Sequence, residues 1–134
     1  MRRLKTLFNA LLICLMLCGA AAAGIPVPAD ITCSQGEDCS RVVVFKAAGI
    51  PTDLTGCSYR AMVRANYTDD TPLAEFNVDT SAVARGQVVI TLPANLTAQL
   101  AGKVAVWDLR QTDGNGLITY PVRGTFRCYW SVTR

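Results

Sequence analysis

The chain has 134 residues, 51% hydrophobic and 17% charged, with six cysteines and no histidine. That suffices for one domain with a single core, and it removes the commonest general base and metal ligand. The formal charge of +3 lies wholly at the start: taking Arg2, Arg3 and Lys5 from the thirteen basic residues leaves ten against ten acidic ones, so nothing points to nucleic acid as a partner.

The first residues, MRRLKTLFNALLICLMLCGAAAAGIP, have the three parts of a secretory signal. A basic start precedes an apolar run over 7–18, and small residues follow with an Ala-x-Ala site at Ala21–Ala23. The apolar run falls short of the ~20 residues a spanning helix needs. The expected division is a signal peptide over 1–23 and one domain over 24–134. Membrane contact is expected only through the N-terminal segment, and only if it stays uncleaved.

Cys14 and Cys18 leave with the signal, and Cys33, Cys39, Cys57 and Cys128 remain. An even number in an exported domain reads as disulfides. A zinc site is the rival reading, but the spacings lack the paired C-x-x-C knuckles it prefers.

After the extended lead-in GIPVPAD (24–30), strand-like runs follow one another between turns. They are ITC (31–33), SRVVVFK (40–46), CSYRAMVRA (57–65), PLAEFNVD (72–79), GQVVITLP (86–93), KVAVWDLRQT (103–112) and LITYPVRGTFRCYWSV (117–132). DGNG (113–116) is a hairpin signal. Pro121 argues for an edge or a bulge in the last run. Only ANLTAQLA (94–101) reads as helix. The expected fold is an all-β, seven-stranded antiparallel sandwich, immunoglobulin-like, with one short helix.

Alternation of side chains assigns faces. Cys57, Tyr59, Ala61 and Val63 share one, with Ser58, Arg60, Met62 and Arg64 opposite. In the last run Ile118, Tyr120, Val122, Phe126, Cys128 and Trp130 share a face. Both Cys57 and Cys128 therefore fall on core-facing sides. They could form a bridge stapling the third strand to the last, contributing roughly 4 kcal/mol, with a local Cys33–Cys39 bridge adding about 2 kcal/mol. The alternative leaves Cys57 and Cys128 as unpaired apolar core residues.

Several stretches carry a family resemblance. QGEDCSRVVVFKAAGIPTDLTGCSYRAMVR, PLAEFNVDTS, GQVVITLPANLTAQL and AVWDLRQTDGNGLITYPVRGTF together resemble small phage-encoded structural proteins and tail-protein N-terminal domains. The likeness covers about residues 30–130. It implies a β-sandwich and a virion structural or attachment-related role. Two features depart from it: Cys57 stands where an aromatic residue is usual, and the N-terminal signal is foreign to the pattern.

Catalytic chemistry is not expected. G-x-S-x-G and Gly-rich phosphate loops are absent, and Asp69-Asp70 reads as a turn in NYTDDT. No cofactor or metal is implied. Arg60, Arg64, Arg123 and Arg127 fall on outward faces and could form a patch for carboxylates, phosphates or glycans. A solvated face paired with Glu75 or Asp108 is the plainer reading. Tyr129 also points outward and could mark a contact surface. Trp107 reads as core. A protein partner or self-assembly is the expected mode, with an anionic surface glycan as the other candidate. The expected location is periplasmic or extracellular, with a virion component retaining its N-terminal segment as the alternative.

Overall fold

The computed structural model describes residues 25–133, together with the backbone of Ile13–Met16. The signal peptide expected over 1–23 otherwise lies outside the described residues. Among the described residues, no helix is long and apolar enough to cross a membrane.

Two β-sheets face each other. Sheet A runs β1 (Ile13–Met16), β4 (Cys39–Ala47), β9 (Gln87–Leu92) and β8 (Asn77–Asp79), with β5 (Ile50–Pro51) also on β4. Sheet B runs β2 (Val27–Pro28), β11 (Ile118–Tyr129), β10 (Val104–Thr112), β6 (Ser58–Arg64) and β7 (Ala74–Glu75), with β3 (Ile31–Ser34) also on β11. Most pairs are antiparallel, but β1 lies parallel to β4, and β2 and β3 lie parallel to β11. The all-β sandwich is as expected; the purely antiparallel pairing is not. It fails because the lead-in and β3 run along the free edge of β11 in its own direction.

The period-2 patterns explain the core. Val43, Phe45, Val88, Ile90 and Leu92 come from sheet A, and Tyr59, Ala61, Val63, Trp107, Leu109, Val122 and Phe126 from sheet B. Phe45 meets Tyr59 across the gap, with ring centroids 5.9 Å apart. Phe76 makes edge contacts with both Trp107 and Phe126. Burying such side chains contributes about 1.5–3 kcal/mol each. Trp107 is in the core, as read from sequence, and its indole N–H donates to the Ala29 carbonyl at 2.8 Å.

The run over 72–79 is one strand in sequence and two in space. β7 pairs with β6 in sheet B, and β8 pairs with β9 in sheet A. The chain crosses between sheets at buried Phe76.

The last run also needs correction. Val122, Phe126 and Cys128 are buried, but Ile118, Tyr120 and Trp130 are exposed. Between Leu109 and Gln111 of β10, β11 advances from Val122 to Thr119, one residue too many. This bulge contains Pro121, in keeping with the sequence reading. An extra residue reverses the alternation, so Ile118 and Tyr120 turn outward. Trp130 lies beyond the end of β11, over Gly102, where a Cβ would sit 2.5 Å from the indole nitrogen.

Turn chemistry is as the sequence suggests. Asp113 Oδ1 accepts from the amides of Asn115 and Leu117 in the DGNG hairpin. Asp53 Oδ1 accepts from Thr55 in PTDLTG. The short helix α1 (Ala94–Gln99) has its first amide capped by Asp38 Oδ1 at 2.9 Å.

Candidate functional site

Two groupings concentrate polar or reactive side chains: the outer face of sheet B, and a corner where β3, β4, β11 and α1 meet.

β6 and β11 flank β10, so their outward residues share one surface. Arg60, Arg64, Arg123, Arg127 and Tyr129 all lie on it. β10 adds Asp108, already read from sequence as a pairing partner of this face, and Arg110, which sequence reasoning did not place there. Alternation from Trp107 would have found Arg110 too. Arg110 stands directly opposite Arg60, and Asp108 opposite Arg123.

Some of these cations are occupied. Arg60 forms an ion pair with Glu75 at 2.9 Å, both side chains about half exposed. This contact raises the Arg60 pKa and lowers that of Glu75, through the hydrogen bond first in each case. Arg64 donates to the carbonyls of Asp69 and Asp70, fixing the NYTDDT turn. Arg123 lies over the Tyr67 ring, 5.5 Å from its centroid, a cation–π contact. Asp108 is half-buried, and burial pushes its carboxyl up against the pull of Arg64, Arg110 and Arg123. Among the described residues Arg60–Glu75 is the single ion pair. Arg110 and Arg127 therefore make none, and the face carries five arginines against two carboxylates.

The cysteines divide differently from expectation. Cys33 and Cys39 are joined, with Cα atoms 5.8 Å apart. Although close in sequence, they link different sheets, because β3 belongs to sheet B and β4 to sheet A. Cys57 and Cys128 are free thiols, so the stapling bridge between them is overturned. Both strands run antiparallel to β10 and thus parallel to each other. Ser58 faces Thr112 at one end of β10, while the Cys128 amide bonds Lys103 O just before the other. That puts the cysteines on the order of 30 Å apart, where a bridge needs Cα atoms within about 7 Å. Alternation gave the correct face for Cys128 but could not say which end of the sheet either cysteine occupies.

Cys128 is buried beside the disulfide, in register with Cys33. Its thiol donates to the Thr97 carbonyl at 3.3 Å. Thr97, fully buried, donates in turn to the Glu37 carbonyl at 2.7 Å. Burial pushes the Cys128 thiol up, and the Glu37 charge adds to the shift. Buried Arg41 donates to the carbonyls of Thr32 and Ser40, tying β4 to β3. Burial lowers its pKa, with Glu37 opposing. Thr97 and Arg41 were not identified from sequence. Arg41 sits at a core-facing position of the β4 alternation, the one available signal. A carboxylate oxygen of Glu37 and the sulfurs of Cys33 and Cys39 lie within 4.8 Å of one another. Joined as a disulfide, those sulfurs are not the thiolates a metal requires.

Comparison with solved structures shows the fold. The N-terminal domain of phage TP901-1 ORF48 matches with a TM-score of 0.52 and 11% identity, over 88% of this chain and 96% of that one. The bradyzoite-specific antigen BSR4 from Toxoplasma gondii matches at 0.37 and 14% identity, over 81% of this chain and 45% of that one, too loosely to bear on this protein. No protein-family model and no curated protein matches the chain.

Proposed function

We propose that this chain is a non-enzymatic structural or binding module on a phage structural-protein frame, exported and processed, that engages an anionic partner through the arginine face of sheet B. The carrying observation is that face: Arg60, Arg64, Arg110, Arg123 and Arg127 on one sheet surface, with Arg110 and Arg127 outside any ion pair among the described residues. Guanidinium groups recognise carboxylates and phosphates through paired hydrogen bonds. Tyr129, exposed on the same face, extends the surface with an aromatic contact. The partner is an acidic protein surface, including another subunit of an assembly. A disulfide suits an oxidising compartment, and the fold shared with a phage domain supports the structural role.

The test replaces Arg60 and Arg127 together with Gln and measures retention on an immobilised acidic protein and on an anionic glycan. Weaker retention is expected with only a slight fall in thermal midpoint, from the half-exposed Arg60–Glu75 pair. Retention equal to the parent on both supports would remove the face from the proposal.

A second reading has its own observation. Ile13–Met16 pairs in register with Val43–Lys46, which favours a virion component that keeps its N-terminal segment. Mass spectrometry of the N-terminus separates the two. A chain starting near Gly24 supports export; one starting at Met1 in purified particles supports the virion component.

A further inference from the structure

The corner around Cys128 holds a feature that neither docking nor fold requires. Cys128 of β11 is the register partner of Cys33 in β3, and both are almost fully buried. Partners on neighbouring strands stand about 4.8 Å apart, inside the Cα range a disulfide spans. A free thiol is thus held beside a formed bridge, at a Cα separation that a second bridge spans.

We propose that Cys33, Cys39 and Cys128 form a thiol–disulfide exchange centre in which the bridge moves between Cys33–Cys39 and Cys33–Cys128. On local opening of this corner the buried Cys128 thiol loses its proton to solvent, and the thiolate attacks the Cys33 sulfur. The Cys33–Cys128 bond forms as the Cys33–Cys39 bond breaks. Cys39 leaves as thiolate and takes up a proton. One disulfide and one thiol exist before and after, so no oxidant or reductant is consumed.

The move has a structural consequence. Cys33–Cys39 joins sheet B to sheet A, whereas Cys33–Cys128 lies inside sheet B. Exchange therefore releases the covalent tie between the sheets at this corner. The hydrogen bonds of Arg41 to Thr32, of Thr97 to Glu37 and of Ala94 to Asp38, with the core packing, then hold it without a covalent link. The thiol bond to the Thr97 carbonyl and the burial of Cys128 favour the resting thiol. Exchange is accordingly slow at neutral pH and quickens as pH rises. Cys57, far along the sheet, takes no part.

The experiment uses the full chain. Cys39→Ser is folded in a glutathione redox buffer, its β-sheet circular dichroism is checked, and its free thiols are blocked. Cleavage at Arg, Lys and Asp30 then separates Cys33 from the leader cysteines and from Cys128. The expected product is a Cys33–Cys128 linkage with Cys57 blocked. Finding Cys33 and Cys128 both blocked in the folded protein overturns the proposal, as does a bridge to Cys57. Should Cys39→Ser fail to fold, the unsubstituted chain carries the test. Held at alkaline pH with glutathione, it should accumulate Cys33–Cys128 linkage that Cys128→Ser abolishes. Recovery of Cys33–Cys39 alone at every pH overturns it.

Discussion

Gly124 sits where β11 is crossed by the lead-in, and Gly124→Ala probes that contact. A Cβ there would lie 1.8 Å from the Ala29 carbonyl oxygen and 2.5 Å from its carbon. Both atoms belong to backbone, so no rotamer relieves the clash and the segment around Ala29 must move away. Three hydrogen bonds depend on its position: Ala29 N–H to Arg123 O at 2.9 Å, the Trp107 indole to Ala29 O at 2.8 Å, and Thr125 N–H to Asp30 Oδ1 at 3.0 Å. Each contributes about 0.5–1.5 kcal/mol net, and stranding the buried indole N–H costs more, so the loss should be about 3–5 kcal/mol. That is a large part of the ~5–15 kcal/mol a domain has. Urea unfolding followed by circular dichroism and tryptophan fluorescence measures it, and a midpoint drop of roughly 2 M is expected. Gly114→Ala is the control, since its Cβ would meet nothing nearer than the Gly56 carbonyl at 4.0 Å; its effect should stay within about 0.5 kcal/mol. A Gly124→Ala loss no larger than the control's would refute the close approach as a structural requirement.

Replacing Cys33 and Cys39 together with Ser opens a short loop and should cost about 2 kcal/mol in the chain-entropy account, read as a lower thermal midpoint under non-reducing conditions. Thr97→Val keeps the volume but leaves the Glu37 carbonyl without its buried donor, a loss of roughly 1–3 kcal/mol measurable by the same unfolding experiment. Asp108 has its carboxyl raised by burial, so its ionisation opposes folding. The cost is absent below the unfolded-state pKa and grows as pH rises through the folded one. Asp108→Asn should therefore stabilise the protein at neutral pH and lose that advantage in acid; equal gains at pH 3 and pH 7 would contradict the assignment. Glu75 is shifted the other way by Arg60, so its contribution, present above the unfolded pKa, fades as pH falls through the folded value. Arg60→Gln removes that contribution, so the neutral midpoint should fall slightly, by what a half-exposed pair supplies, and meet the parent's in acid, flattening the limb.

The all-β class, the positions of most strands, the DGNG hairpin, the short helix and the bulge near Pro121 were legible in the sequence. Each is dictated within a few residues by alternation, by φ restriction at proline, or by side chains bonding their own turn. The outward set Arg60, Arg64, Arg123, Arg127 and Tyr129 was legible for the same reason. What alternation could not supply was neighbourhood. It assigned Cys57 and Cys128 to core-facing sides, yet pairing with opposite ends of β10 separates them. The partner of Cys33 in register is Cys128, far away in sequence. The split of 72–79 between two sheets, Arg110 opposite Arg60, and Thr97 bonding the Glu37 carbonyl likewise depend on which strands lie side by side. Local sequence fixes the direction in which a side chain leaves its strand, because that follows from backbone geometry. Which side chain it then meets is decided by long-range pairing and register, and those are settled only when the whole core closes.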